Sequence, residues 1–526
     1  MDKIKSNSNT LAFFIIWFVY LAVFSFITTV IREDGYLNFE PLFITCDINT
    51  LFDGGELVKN FFLSYPVVTN LLSYPFTLFS AEDAPFFASV FYTSLFATFV
   101  VTIVGKEKNK IFKTLLFIYF LCSPVTIYAA TSGTSVYAFF ILFFFIFYYL
   151  FNYIKKFTTY HIAILSIILS LAVFLDYRIL WLLLLLFVYA FVFSVYGVKG
   201  LKSSNVIIKY IKISQHYSLR RKFRGRLGSM VFIIGFFPVT GLLLYLLINY
   251  LMGNDAFYFY DSLVTKWNGN SFLTALNPNT ITNLDNRAVN DFSFFNIVFF
   301  LMPIYVFELI VHYKKGLKVF ILLLVPVLLY VLVRDSITDY MSLSYYVVII
   351  ACGIASIATT PAKYFKSKKS IYFAYAALFI MSICGEYLYL EKSSFTSEKV
   401  YYNSVVKKEQ NDVLLDYKKG GRFLAFNTPE NAVILCDKSL MYPIVAFNNK
   451  NNLFIANSSD EFKKALYNPK DHCDYIITSN EKSPYSFLDK VKINLENNKT
   501  KALGINNYRS KVVYYCDAFT ITKIIK

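Results

Sequence analysis

TLAFFIIWFVYLAVFSFITTVIREDG, residues 10–35, decides how the rest of the chain is read. Residues 10–31 carry no charge, and the run ends on Arg32-Glu33-Asp34 and a glycine. An apolar run of this length suffices for a helix to cross a hydrocarbon core of roughly 30 Å. It exceeds the apolar core of a secretory signal and lacks a small-residue cleavage site, so it reads as a retained span.

The composition extends that reading to the whole chain. Of 526 residues, 56% are hydrophobic and 16% charged, with 57 Phe, 42 Tyr and a mean hydropathy of +0.50. A soluble globular chain has about 25% charged residues and cannot bury this much aromatic surface in one core. Disorder is excluded by the hydrophobicity, a collagen-like fibre by 19 Gly and 14 Pro, and a disulfide-built module by 7 Cys in this length. Eleven apolar runs are candidate spans: 10–31, 84–105, 111–130, 136–154, 159–175, 179–197, 229–250, 292–313, 318–334, 343–361 and 371–390.

Charge then orients the expected spans. With the N-terminus inside, the inner segments (the N-terminus, 106–113, 155–156, 199–226, 314–318 and 363–369) hold 24 Lys+Arg against Asp2 and Glu107. The opposite side of the membrane part has 6 Lys+Arg and 15 acids. Lys and Arg collect on cytoplasmic loops, so the N-terminus is expected in the cytoplasm and the C-terminal tail outside. The net charge of +17 is therefore assigned to topology, and nucleic acid is set aside as a partner. The loop 198–228, with nine Lys or Arg, reads as an anchor on anionic lipid.

Three long pieces face outward in this scheme: 32–83, 251–291 and the tail from Glu391. In 32–83, Leu37, Leu42, Phe43, Leu51, Phe52, Val58, Phe61 and Phe62 recur at mixed helical spacing, which suggests surface helices. Gly54-Gly55 breaks one helix, and the two Ser-Tyr-Pro segments, ending at Pro66 and Pro75, are set to restart others. A carboxylate at a span end, shielded by such helices, loses hydration and becomes a better proton acceptor. Asp34 fits best, with Glu33 beside it and Asp47 as the next candidate; on composition alone, the polar end of a helix accounts for the same residues. Arg178, Arg287 and Arg334 are external cations near span ends, able to fork onto phosphate or simply to snorkel. Glu308, with His312 on the same helical face, and Glu386 are acids within candidate spans.

Residues 391–526 turn polar, with shorter apolar runs. Strands are expected over Ala432–Cys436, Leu453–Ala456 and Tyr475–Thr478, and a helix over Ser459–Leu466 capped by Ser458 or Ser459. Lys511–Tyr515 and Phe519–Ile525 read as a closing hairpin. Cys436 and Cys473 read equally as a disulfide or as buried thiols.

A first span followed at once by an acidic pair, then surface helices with a Gly-Gly break and a Tyr-Pro segment before the second span, resembles the GT-C class of integral-membrane glycosyltransferases. That resemblance implies a mainly-α, polytopic fold of about 11 transmembrane helices over residues 1–390, with the first external loop at 32–83, and a small extracytoplasmic α/β domain over 391–526. It implies transfer of a sugar from a polyprenyl-phosphate donor to a glycan, lipid or protein acceptor on the outer face of a bacterial cytoplasmic membrane. Asp34 matches the family's catalytic base, with Glu33 and Asp47 as further candidates. Arg178, Arg287 and Arg334 are the cations for the departing phosphate. No metal ligands are assigned, and a divalent cation stays open as a cofactor. The turn 131–134, Thr-Ser-Gly-Thr, carries no second acid. The alternatives are a polysaccharide polymerase or ligase, which shares the lipid-linked substrate, and a multi-span transporter or flippase.

Overall fold

The computed structural model describes residues 2–50, 62–63, 66–107, 110–198, 206–257, 300–313, 316–335, 342–360, 369–393, 395–448, 453–455, 457, 459–480, 489–500 and 509–525. The membrane part is built of helices α1 (Asp2–Glu33), α2 (Phe39–Thr50), α3 (Val67–Ser73), α4 (Ala84–Glu107), α5 (Lys110–Cys122), α6 (Pro124–Thr131), α7 (Val136–Lys156) and α8 (Thr159–Leu175). It continues with α9 (Leu180–Gly197), α10 (Val206–Gln215), α11 (Tyr217–Gly253), α12 (Pro303–Val311), α13 (Gly316–Asp335), α14 (Leu343–Thr359) and α15 (Lys369–Lys392).

Among the described residues, six helices are long and apolar enough to cross a bilayer: Thr10–Glu33, Ala84–Ile103, Val136–Lys156, Tyr177–Gly197, Tyr217–Gly253 and Ile371–Lys392. Phe18 and Phe26 on α1, Phe232 on α11 and Phe373 on α15 are 66–79% exposed. Large apolar side chains exposed along span-length helices call for a lipid environment. The chain is a mainly-α membrane protein. Of the other expected spans, 111–130 is a pair of helices, α5 and α6, bent by 58° at Ser123. Three more fall on shorter apolar helices, Thr159–Leu175, Gly316–Leu332 and Leu343–Thr359. The expected span 292–313 is described only from residue 300, and there the helix breaks at Met302 before Pro303.

The hub of the bundle is α14, whose residues are buried along its whole length. A helix apolar all round belongs inside a bundle, and α14 is packed by α7, α12 and α13. At the α5–α6 break, Ser123 caps α6 by accepting the Thr126 N–H at 3.1 Å, with Pro124 in the first turn.

Beyond α15 come α16 (Thr396–Tyr402), α17 (Asp412–Asn427), β1 (Ile434–Leu435), α18 (Lys438–Ala446), α19 (Asp460–Tyr467), β2 (Tyr475–Ser479), α20 (Lys490–Thr500), β3 (Arg509–Tyr515) and β4 (Phe519–Ile525). The sheet order is β1-β2-β4-β3, with β1 and β2 parallel and the rest antiparallel. The hairpin and the β2 strand fall where the sequence places them, and Ser459 caps α19 by accepting the Phe462 N–H. The expected strand 453–456 is reduced to a bridge between Phe454 and Ile434.

One face of the sheet (Ile434, Cys436, Tyr475, Ile477, Phe519, Ile521) shares a core with α17 and α18. The other (Leu435, Ile476, Ile524) packs with α19 and α20. Cys436 and Cys473 lie in these two different cores and are buried thiols, which resolves the alternatives left by the sequence. The first of these cores also contains Leu37, Phe39, Leu42, Phe43 and Cys46. Helix α2 is therefore sandwiched between one end of the bundle and α18, not laid on a lipid surface: its residues 39–49 are buried, with Glu40, Thr45, Asp47 and Asn49 among them.

Candidate functional site

The end of α1 builds the site. Gly35 adopts φ +88°, its N–H bonds to the Arg32 carbonyl at 3.1 Å, and the Tyr36 N–H bonds to the Ile31 carbonyl at 3.1 Å. This is a Schellman termination, which needs a residue tolerant of left-handed backbone at that position. It turns the chain sharply, so Tyr36 points into the bundle between the rings of Phe86 and Tyr401, and α2 starts three residues later.

Arg32 is fixed by the same turn. Its guanidinium donates to the Tyr36 carbonyl at 3.1 Å, to Asp83 Oδ1 at 2.6 Å and to Glu82 Oε1 at 3.3 Å, and lies 4.6 Å from the Phe86 ring centroid. Beside it opens a cleft of about 370 Å³, lined by Arg32, Glu33, Tyr36, Asp83, Phe86 and Lys418 among others. Lys418 comes from α17. Burial, then the neighbouring cations Arg422 and Arg32, pull its ammonium pKa down, while Glu82 and Asp83 push it up. The cleft thus joins the bundle to the C-terminal unit and holds two cations and two carboxylates at its walls.

Of the acid pair, Glu33 lines this cleft. Asp34, the next residue, has 44% of its side chain exposed and lies 3.9 Å from Lys408 Nζ, and its carbonyl accepts from Gln410 Nε2 at 3.4 Å. Asp47 lies elsewhere: it is buried on α2, accepts from Asn70 Nδ2 at 3.1 Å and feels the charge of Lys438 on α18. Burial raises its pKa well above the ordinary carboxylate range, against the pull of Asn70 and Lys438.

The three arginines expected to hold phosphate are not assembled among the described residues. Arg178 is held by its neighbour Asp176 in a two-pronged pair (Nη2–Oδ2 2.9 Å, Nε–Oδ1 3.2 Å) over the Tyr345 ring, and Tyr345 in turn donates to Asp176. Arg287 lies outside the described residues, and so does the side chain of Arg334, in the last turn of α13. The cations that do meet the acid pair's cleft are Arg32 and Lys418. The first was legible only as a neighbour of Glu33, and the second carried no signal in sequence.

Three buried glutamates share one role; sequence reading missed Glu40 and Glu398 and singled out Glu386 only as an acid within a candidate span. Glu40 accepts the N–H and hydroxyl of Ser135 at the start of α7. Glu398 accepts the Leu343 N–H at the start of α14 and the Ser393 hydroxyl at 2.5 Å. Within the membrane, Glu386 accepts the Val125 N–H of α6 at 3.2 Å and the hydroxyls of Tyr119, Ser123 and Ser382 at 2.6, 2.5 and 3.1 Å. A carboxylate at a helix N-terminus satisfies donors that the helix itself cannot. These bonds assign Glu40, Glu398 and Glu386 to architecture. Glu33, Asp34 and Asp47 are the extramembrane acids singled out in the sequence that carry no such tie to a helix N-terminus among the bonds described.

Among the described residues, no group of three or more His, Cys, Asp or Glu side chains is disposed to hold a metal ion. No protein-family model matches the chain, and no curated protein matches it. Fold and site together define a mainly-α membrane protein with a small α/β unit docked on its membrane part.

Proposed function

We propose that the chain is a GT-C-like glycosyltransferase of about eleven spans. It transfers a sugar from a polyprenyl-phosphate donor to an acceptor on the membrane face opposite its Lys/Arg-rich loops, in a bacterial cytoplasmic membrane with the N-terminus inside. The observation that supports this reading is the acid pair at the Gly35 turn, with Glu33 in the wall of a cleft that also holds Arg32 and Lys418 and Asp34 next to it in the chain.

Transfer from a lipid phosphate breaks the bond between the anomeric carbon and a phosphate oxygen and forms one to the acceptor oxygen. The acceptor proton passes to a carboxylate, and the negative charge left on the polyprenyl phosphate needs cations. Asp34 is the base in this scheme, and Arg32 and Lys418 are the cations that line the cleft beside Glu33. Asp83 already engages Arg32 and orients that guanidinium, which leaves Lys418 as the second cation for phosphate. A polymerase or ligase of surface polysaccharide is the same chemistry with a glycan acceptor.

One observation favours a second reading, a transporter or flippase of lipid-linked substrates. Glu386 lies at the 58° break between α5 and α6, beside the second break at Met302, and broken helices around a buried acid are a transporter feature. The two readings separate in one reconstitution. Purified protein in nanodiscs, supplied with polyprenyl-phosphate sugars and candidate acceptors, releases polyprenyl phosphate if the first is right. Absence of release, together with movement of the intact donor between leaflets of proteoliposomes, would establish the second in its place.

A further inference from the structure

At the opposite end of the bundle from Glu33, four helix ends meet around a cavity of about 410 Å³: the last turns of α7, α9 and α14 and the first turn of α13. Its floor and walls are apolar, with Phe151, Ile154 and Leu317, while Lys155, Lys318 and Thr360 supply cations and a hydroxyl at its rim. The volume is that of a small-molecule site. Neither the proposed sugar transfer nor the architecture described above uses it.

Lys318 connects this cavity to the buried acid Glu308. Its ammonium donates to Thr360 Oγ1 at 3.0 Å, to the Ser356 carbonyl at 3.2 Å and to Glu308 Oε2 at 3.3 Å. Glu308 has four other partners: the hydroxyls of Ser356 and Tyr375, each at 2.5 Å, His312 Nε2 at 3.2 Å and the Thr360 hydroxyl at 3.5 Å. Lys318 can therefore turn toward an anion in the cavity without leaving Glu308 unpaired, which a sole partner could not do. Lys155 stands on the exposed side of the same rim.

The geometry points to a binding site for the phosphate headgroup of an anionic phospholipid, with its acyl chains along Phe151, Ile154 and Leu317. Two features select a lipid. The cavity is formed at the level where spans end, next to the basic residues Lys155 and Lys156 and the α10–α11 segment, where a headgroup lies. Its walls are mostly apolar beyond Lys155, Lys318 and the threonines, which suits a lipid's glycerol and chains and adds nothing to the holding of a free phosphate. Basic pockets between helix ends are the usual seat of such headgroups.

The test uses the full chain in nanodiscs of phosphatidylcholine containing phosphatidylglycerol, released into native mass spectrometry. Phosphatidylglycerol should stay bound at least fivefold more than phosphatidylcholine. Each of Lys155→Gln and Lys318→Gln should lower that retention roughly fivefold, the worth of one cation at a lipid surface. Gly316→Leu is the decisive variant, because it keeps both lysines. A Cβ at Gly316 faces the Tyr196 hydroxyl at 3.9 Å, so a longer side chain fills the cavity. It should lower retention as much, with thermal unfolding unchanged, while Lys156→Gln leaves retention intact. Equal retention of the two lipids, full retention in a folded Gly316→Leu protein, or displacement of phosphatidylglycerol by millimolar inorganic phosphate would each overturn the assignment.

Discussion

Glu40 and Ser135, 95 residues apart, share a backbone N–H bond of 2.8 Å and a hydroxyl bond of 2.5 Å to one carboxylate oxygen, so that α2 is tied to the first turn of α7. Burial raises the Glu40 carboxyl from its ordinary 4.5 to about 7, against the lowering effect of the Ser135 bonds, and burial does the same to Glu398.

A raised acid pKa makes stability fall as pH rises. Between about pH 4.5 and pH 7 the native state keeps a proton that the unfolded chain has released, so each of these groups costs up to roughly 3 kcal/mol across that window and nothing further above it. Thermal unfolding in detergent should therefore show a Tm that declines from pH 5 to pH 7.5. Glu40→Gln keeps an oxygen to accept from Ser135 and removes the charge, so it should flatten part of the decline and be more stable than the parent at pH 8. An unchanged slope in both Glu40→Gln and Glu398→Gln would show that these carboxyls are not protonated in the native state.

The Gly35 turn gives a prediction in which backbone decides over packing. The atom nearest a Cβ there is Gln410 Nε2, at 2.8 Å, the far end of a flexible side chain that can move. The left-handed φ cannot, so Gly35→Val should cost more than Gly35→Asn by about 1 kcal/mol or more. Equal Tm values for the two variants would place the strain in the Gln410 contact.

Much of this was legible in sequence and some was not. The uncharged run 10–31 announces α1, Ser459 announces the start of α19, and the alternation in Phe519–Ile525 announces a strand, because each signal is local. The apolar residues of α2 were legible too, but their mixed spacing marks a helix buried on all sides and not a surface one. The pairings Glu40–Ser135, Glu386–Val125 and Glu398–Leu343 join distant segments, and nothing local in a Glu distinguishes a tie to a remote helix end from a solvated charge. Lys418 reaches Arg32's cleft for the same tertiary reason.

The shared core makes a prediction about the C-terminal unit. A fragment of residues 395–526 should give mixed α/β circular dichroism, since its sheet has helices on both faces. It should also expose the surface of α18 that Leu42 and Phe43 cover, and so self-associate unless residues 36–50 are supplied. A monomeric fragment that binds no hydrophobic dye would show that α2 is dispensable to that core.

Reporter fusions after Lys368 and after Lys526 test the orientation. With the N-terminus inside, the first should report the cytoplasm and the second the outer side, as the 24-to-6 division of Lys+Arg across the membrane part requires. Reports from the same side would remove the outward placement of the Glu33 cleft.

Sugar transfer by acid variants in nanodiscs tests the central claim most directly. Asp34→Asn keeps the size and removes the proton acceptor, so turnover should fall by roughly 10²–10⁴-fold with little change in donor binding. Glu33→Gln should fall less, through the cleft wall that Glu33 shares with Arg32, and Asp47→Asn should stay near the parent rate. Full transfer in Asp34→Asn beside a dead Asp47→Asn would move the base to the buried face of α2, and full transfer in all three would contradict the glycosyltransferase account.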